Sequence, residues 1–208
     1  MYIIRGYIIS MQMIVRKESF CLQLKNIFVV SYKRLSINDP DLLRTLKICG
    51  REFPESSRLK LAYLEDLFLT PSFKFYTIYY NQIVAGVFTT WEFNDFLFVE
   101  YFVIDKHFRG LGVGSDFMKQ FLPTIHKKVV LEVEPPHTKT AKQRIDFYKR
   151  LGFRICPRHY DQPPYDNETD WVAMMLMSYP EPIGPGEFEH LKKNIYRKVY
   201  NLSDYVTF

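Results

Sequence analysis

The sequence predicts an α/β domain built on a mixed, mostly antiparallel sheet. Three observations carry that expectation. Phe96 to Ile104 is apolar and aromatic apart from Glu100, as in a strand covered on both faces, and it runs into a glycine-rich turn and a helix. Phe73 to Tyr80 and Ile83 to Trp91 flank Asn81-Gln82, a hairpin pattern. Val129 to Glu134 (VVLEVE) follows the helix, so it should return by a crossover and pair parallel to the central strand.

Composition bounds the rest. The chain has 208 residues, 47% hydrophobic and 17% aromatic, enough for one folded domain with a sizeable core. A net charge of +5 suits a polyanionic ligand; nucleic acid is not expected, because no nucleic-acid motif accompanies it. Cys21, Cys49 and Cys156 are odd in number and scattered, with no CxxC or Cys/His cluster to offer a zinc site. A reduced, cytoplasmic setting is the expectation.

Along the chain, residues 1–26 read as an extension outside the core domain, expected to be poorly ordered. Its apolar part is broken by Arg5 and falls short of the ~20 residues a membrane span needs. It resembles a signal peptide only weakly, since Arg16-Lys17-Glu18 follows in place of a small-residue cleavage site. Phe28 to Leu35 reads as the first strand of a domain spanning 27–180. A helix follows, capped by Asn38 or Asp39 and ending near Gly50, and a second restarts at Phe53 and runs through Leu67. Thr138 to Leu151 forms a later helix ended by Gly152. Phe153 to Pro157 and Trp171 to Met177 read as the last strands. Tyr160 to Asp166, with two prolines and two tyrosines, reads as a loop of the kind that carries specificity. Residues 181–208 carry an amphipathic helix with Phe188, Leu191, Ile195 and Val199, packed on the domain or on a partner.

The chemistry concentrates in Arg109-Gly110-Leu111-Gly112-Val113-Gly114. Alternate glycines ahead of a helix N-terminus expose amides to an anion, and Arg109 adds a positive charge. The P-loop fails, because Ser115-Asp116 follows Gly114 where Lys-Ser/Thr is required. The dinucleotide fingerprint fails, because Ser115 stands where its third glycine belongs. The segment does match the Arg/Gln-x-x-Gly-x-Gly/Ala signature of the GNAT superfamily, the acyl-CoA-dependent N-acyltransferases. Downstream, Phe147-Tyr148-Lys149-Arg150-Leu151-Gly152-Phe153 resembles the Phe-Tyr-x-x-x-Gly-Phe segment of the same superfamily. The two motifs occur in the family's order, and the chain resembles a single-domain, bacterial-type member.

That resemblance implies a GNAT fold with a splayed parallel strand pair, and acetyl-CoA as co-substrate with no metal. It implies that the backbone of Phe102, Val103 and Ile104 binds the pantetheine arm, while Arg109, Gly110, Leu111, Gly112, Val113, Gly114 and Ser115 hold the pyrophosphate. Tyr148 falls at the family's general-acid position. Two carboxylates offer a general base. Glu100 is the one charge in its strand and by alternation shares a face with Phe102 and Ile104; Glu132 lies on the adjacent strand. The acceptor is expected to be a small-molecule or peptide amine, with no membrane partner; a homodimer is compatible. One departure stands out: Ala141 occupies a position where the family often has a cofactor-contacting Asn. A non-catalytic acyl-CoA-binding module on the same fold is the alternative.

Overall fold

The computed structural model describes residues 29–52, 61–165 and 170–202. The expected N-terminal extension, the start of the second helix and Cys21 lie outside these residues. In chain order the elements are β1 (Val30–Arg34), α1 (Leu42–Glu52), α2 (Leu61–Leu69), β2 (Phe73–Tyr80), β3 (Ile83–Glu92), β4 (Phe96–Ile104), α3 (Val113–Phe121), β5 (Lys128–Val133), α4 (Lys139–Arg150), β6 (Arg154–Ile155), β7 (Tyr160–Gln162), β8 (Val172–Tyr179) and α5 (Glu187–Lys198). None of the described helices is long and apolar enough to cross a membrane.

The strands form one path in the order β1-β2-β3-β4-β5-β8-β6, with β7 pairing the outer half of β8. All pairs are antiparallel except β4 and β5. The expected hairpin is present. Asn81 and Gln82 both take positive φ, 48° and 67°, the conformation a two-residue loop needs to match strand twist. The Tyr160 to Asp166 reading needs correction: Tyr160–Gln162 is a strand against β8, and only Arg154–Ile155 of the preceding segment is one. Strands of two and three residues beside prolines are too short to show alternation.

Two apolar layers cover the sheet. One face packs α3 and α4 through Val113, Phe117, Met118, Phe121, Ile145 and Tyr148. The other packs α1, α2 and α5, with Ile48, Leu64, Phe188, Leu191 and Ile195 buried against Phe73, Phe75 and Trp91. The amphipathic C-terminal helix therefore belongs to the same core as the sheet.

Glu100 breaks the alternation of β4. Across the β3–β4 ladder Thr89 pairs with Tyr101 and Thr90 with Val99, leaving Glu100 as an extra residue, a β-bulge. Leu97 and Val99 face α3 and α4, and so do Phe102 and Ile104 beyond the bulge. Glu100 instead bonds Trp91 and Tyr165 in the opposite layer. The expected sharing of a face by Glu100, Phe102 and Ile104 is thus overturned, because simple alternation does not survive an inserted residue. Thr89 Oγ1 accepts the Tyr101 N–H at 3.1 Å inside the bulge, where both residues are buried. Thr89→Val should leave that N–H unsatisfied and lower stability by about 1–3 kcal/mol, read by urea denaturation.

Candidate active site

β4 and β5 pair only from Phe96↔Lys128 to Val99↔Leu131. Beyond that point β4 continues to Ile104 and β5 to Val133 without pairing each other. The edge of β4 from Glu100 onward therefore faces a gap with ladder groups still to satisfy. Glu100 and Glu132 are the first residues past the last pair, one on each side of the opening.

Both carboxylates point into the layer of α1, α2 and α5. Trp91 Nε1 donates to Glu100 at 2.8 Å and the Tyr165 hydroxyl at 3.2 Å. Burial raises the Glu100 carboxyl to about 7 from an ordinary 4.5, against the pull of these two donors; the nearby Glu132 charge pushes it further up. Glu132 is held by three donors: the hydroxyls of Tyr160 and Tyr200, the latter at 2.7 Å, and Gln162 Nε2 at 2.7 Å. Burial raises it too, opposed by those three bonds. Cys49 lies in the same layer, and burial pushes its thiol up to about 12, so it is no nucleophile near neutral pH.

The glycine loop closes the other end of the gap. Gly110 and Gly112 take φ of +79° and +81°, and Gly112 is the N-cap of α3. Nothing crowds a Cβ at Gly110, and at Gly112 only the Asp116 carboxylate lies within 4 Å, so backbone conformation is what demands glycine there. At Gly114 the reason is packing: a Cβ would meet Ile104 Cγ1 at 3.3 Å and Phe102 Cζ at 3.5 Å. The amides of Val113, Gly114 and Ser115 have no acceptor within the helix and form its positive end. Asp116 N–H already bonds Gly112 O at 2.9 Å. Arg109 Nε donates to Ile104 O at 2.9 Å, tying the loop to the end of β4. Asp105 anchors that end. Its carboxylate accepts the His107 N–H and ring and pairs with Arg51 of α1, and these contacts, led by the backbone bond, hold it below the usual carboxylate range.

Tyr148 sits on the other face, in the last turn of α4 between Phe147 and Phe153. Burial raises its phenol, so it stays protonated at neutral pH. Thr138 caps the helix through the Ala141 N–H, and Gly152, at φ +95°, ends it. Lys139 and Lys142 are exposed, and Arg144 pairs with Glu134.

A family model described as "Acetyltransferase (GNAT) domain" matches residues 71–155. Those residues hold β2 to β6, the bulge, the gap, the glycine loop and Tyr148. A solved Bacteroides thetaiotaomicron protein, titled as a GNAT-family acetyltransferase, superposes with a TM-score of 0.78 at 26% identity, covering 83% of this chain and 99% of that one. The segment that carries the site thus matches the GNAT superfamily in sequence, and the fold matches that of one of its members. Another relative, the Bacillus subtilis protein YjbC, an acetyltransferase by name, is 32% identical over 121 residues, 54% of this chain. The match spans 60% of the length of YjbC. Arabidopsis thaliana Naa50, solved with a bisubstrate analogue of CoA and a peptide, shares the fold at TM-score 0.53 and 20% identity over 72% of this chain and 97% of that one.

Within the matched segment the structure groups Glu100 with Glu132 at the strand gap, and Phe102, Ile104 and Gly114 with the loop; Tyr148 lies on the opposite face from the carboxylates. Sequence reasoning missed Trp91 and Tyr200, and Gln162 was signalled only as part of the stretch from Tyr160 to Asp166. Tyr160 and Tyr165 were signalled only through the proline-rich stretch that contains them. A cavity of about 690 Å³ lies elsewhere, between the loop after β1 and α2, lined by Lys33, Asp39, Glu65 and Phe68 among others. Neither the carboxylates nor the glycine loop lines it.

Glu100 carries a pH signature. Its folded value lies above its unfolded one, so the folded state holds a proton that the unfolded chain releases. The stability it contributes is full below about pH 4.5 and is lost as pH rises through about 7, with a slope of at most about 1.4 kcal/mol per pH unit. Glu100→Gln should flatten the fall in stability between pH 5 and 8, measured by denaturant titration at both pH values.

Proposed function

We propose that the protein transfers the acetyl group of acetyl-CoA to a primary amine, by direct attack in a ternary complex. The observation that carries the reading is the pair of carboxylates, Glu100 and Glu132, at the mouth of the gap where β4 and β5 part. The residues present fit the co-substrate. The edge of β4 over Phe102, Val103 and Ile104 is not laddered to β5 and offers backbone groups to the pantetheine arm, with the Ile104 carbonyl already held by Arg109. Arg109, Gly110, Leu111, Gly112, Val113, Gly114 and Ser115 offer amides, a helix N-terminus and a cation to the pyrophosphate. Acetyl-CoA supplies an activated thioester carbonyl and a thiol leaving group.

The chain's own groups supply the proton transfers. Glu100, raised to about 7, accepts a proton from the incoming ammonium, directly or through a water. A backbone amide at the gap bonds the carbonyl oxygen as negative charge gathers on it. The C–N bond forms, the C–S bond breaks, and the Tyr148 hydroxyl gives its proton to the departing sulfur; the surplus proton on the new amide nitrogen passes to solvent, from which the Tyr148 phenol is restored. Glu132 stands second as base, since its three donors hold it more firmly as an acceptor. The family relationship supports acetyl transfer in general; the amine, the roles of Tyr148, Glu100 and Glu132, and a cytoplasmic setting are parts of this proposal.

The test is release of free thiol from acetyl-CoA against a panel of arylalkylamines, diamines, amino acids and N-terminal peptides. Turnover with one class, rising with pH through about 7, is the expected result. Binding of acetyl-CoA with no turnover of any amine would favour a non-catalytic acyl-CoA-binding module. Tyr148→Phe should lower kcat roughly 10–1,000-fold and leave acetyl-CoA affinity nearly intact; unchanged kcat would remove Tyr148 from the mechanism.

A further inference from the structure

Among the described residues, the one that reaches the carboxylate pair from farthest along the chain is Tyr200, which lies beyond the 71–155 span of the family match. It follows α5 directly. Asn201, at φ +54°, turns the chain, and Leu202 N–H bonds Tyr196 O at 3.0 Å, so the end of the helix is fixed. Tyr200 is 6% exposed. Its ring lies 5.0 Å from that of Tyr165 and 6.5 Å from that of Tyr196. Its hydroxyl accepts from Gln162 Nε2 at 2.7 Å and donates to Glu132 Oε2 at 2.7 Å. Gln162 Nε2 also donates to that same oxygen at 2.7 Å. Tyr200, Gln162 and the carboxylate therefore close a triangle, and Tyr160 binds the other carboxylate oxygen. Both oxygens of Glu132 are engaged by neutral donors.

We propose that Tyr200 is a positioning residue of the site: its hydroxyl fixes the Glu132 carboxylate at the strand gap, so the segment after α5 completes the active centre and is more than a packing appendage. The inference rests on the transfer reading above. Burial raises the Tyr200 phenol, which keeps it a donor throughout the working pH range. The titratable groups facing Glu132 are Glu100 and Tyr101 from β4, Tyr160 from β7, Tyr165 from the loop after it, and Tyr200. The four phenols are all raised and remain neutral, so Glu100 is the one competing charge among them. Removing the Tyr200 hydroxyl takes a donor from the ionised form of Glu132 and must make that carboxylate easier to protonate.

Two variants on the same helix end separate positioning from packing. Tyr200→Phe keeps the ring and deletes the hydroxyl on Glu132. Tyr196→Phe deletes a hydroxyl that donates to the Asp161 carbonyl in the same aromatic cluster. The probe is the ¹³C-carboxyl NMR titration of the full chain labelled at glutamate, with Glu132 assigned through Glu132→Gln. It is read beside calorimetry with acetyl-CoA and kcat with the amine found by the panel. Tyr200→Phe should move the Glu132 midpoint upward, lower kcat roughly tenfold or more, and leave acetyl-CoA affinity unchanged. Tyr196→Phe should lower thermal stability and leave the midpoint and kcat in place. An unmoved Glu132 midpoint in Tyr200→Phe, an equal move in Tyr196→Phe, or a moved midpoint with wild-type kcat would each overturn the assignment. Absence of turnover by the wild type counts against the transfer reading itself, and the NMR titration still decides the bond.

Discussion

Thr89 and Thr90 of β3 pair with Tyr101 and Val99, so one residue of β4 has no partner across the ladder, and every side chain after it turns over. That single inserted residue is Glu100. Because of it, Glu100 and Tyr101 lie toward the same layer, that of Tyr165, while Phe102 and Ile104 lie toward α3 and α4. The parallel partner β5 leaves the ladder at the same level, after Leu131. A bulged strand beside a strand that stops pairing leaves a gap between β4 and β5. The glycine loop closes one end of it, because Gly114 lets α3 approach Phe102 and Ile104 closely.

Two carboxylates at this opening are a cost to the fold. Each loses hydration, and each is repelled by the other. The bonds given to them come from phenols, an indole and an amide, neutral donors that lower the cost without fixing the charge as an ion pair would. The division is unequal. Glu132 receives three donors and Glu100 two, and Glu100 is the group raised to about 7, within reach of either protonation state at neutral pH.

Much of this was legible in the sequence, for identifiable reasons. Phe96 to Ile104 announced a buried strand by its apolar run, and Arg109 to Gly114 announced a helix N-terminus by its glycines, because both signals are local. The motif at Phe147 to Phe153 located Tyr148 in the same way. The bulge was not legible: alternation reads register from composition, and nothing in Val99-Glu100-Tyr101 marks an extra residue until β3 is laid beside it. Tyr160–Gln162 was hidden by its shortness and its prolines. Tyr200 was hidden by distance, since it meets Glu132 across 68 residues of sequence and belongs to no motif.

The central claim is that the gap and the glycine loop together form an acyl-CoA site. Its most direct test is calorimetric titration of acetyl-CoA into the wild type and into Gly112→Val. Valine at φ +81° cannot keep the αL N-cap that aims the first amides of α3. One-site binding by the wild type, abolished in a Gly112→Val protein that circular dichroism shows to be folded, is the expected result. No binding by the folded wild type, or equal binding by the variant, would contradict the account.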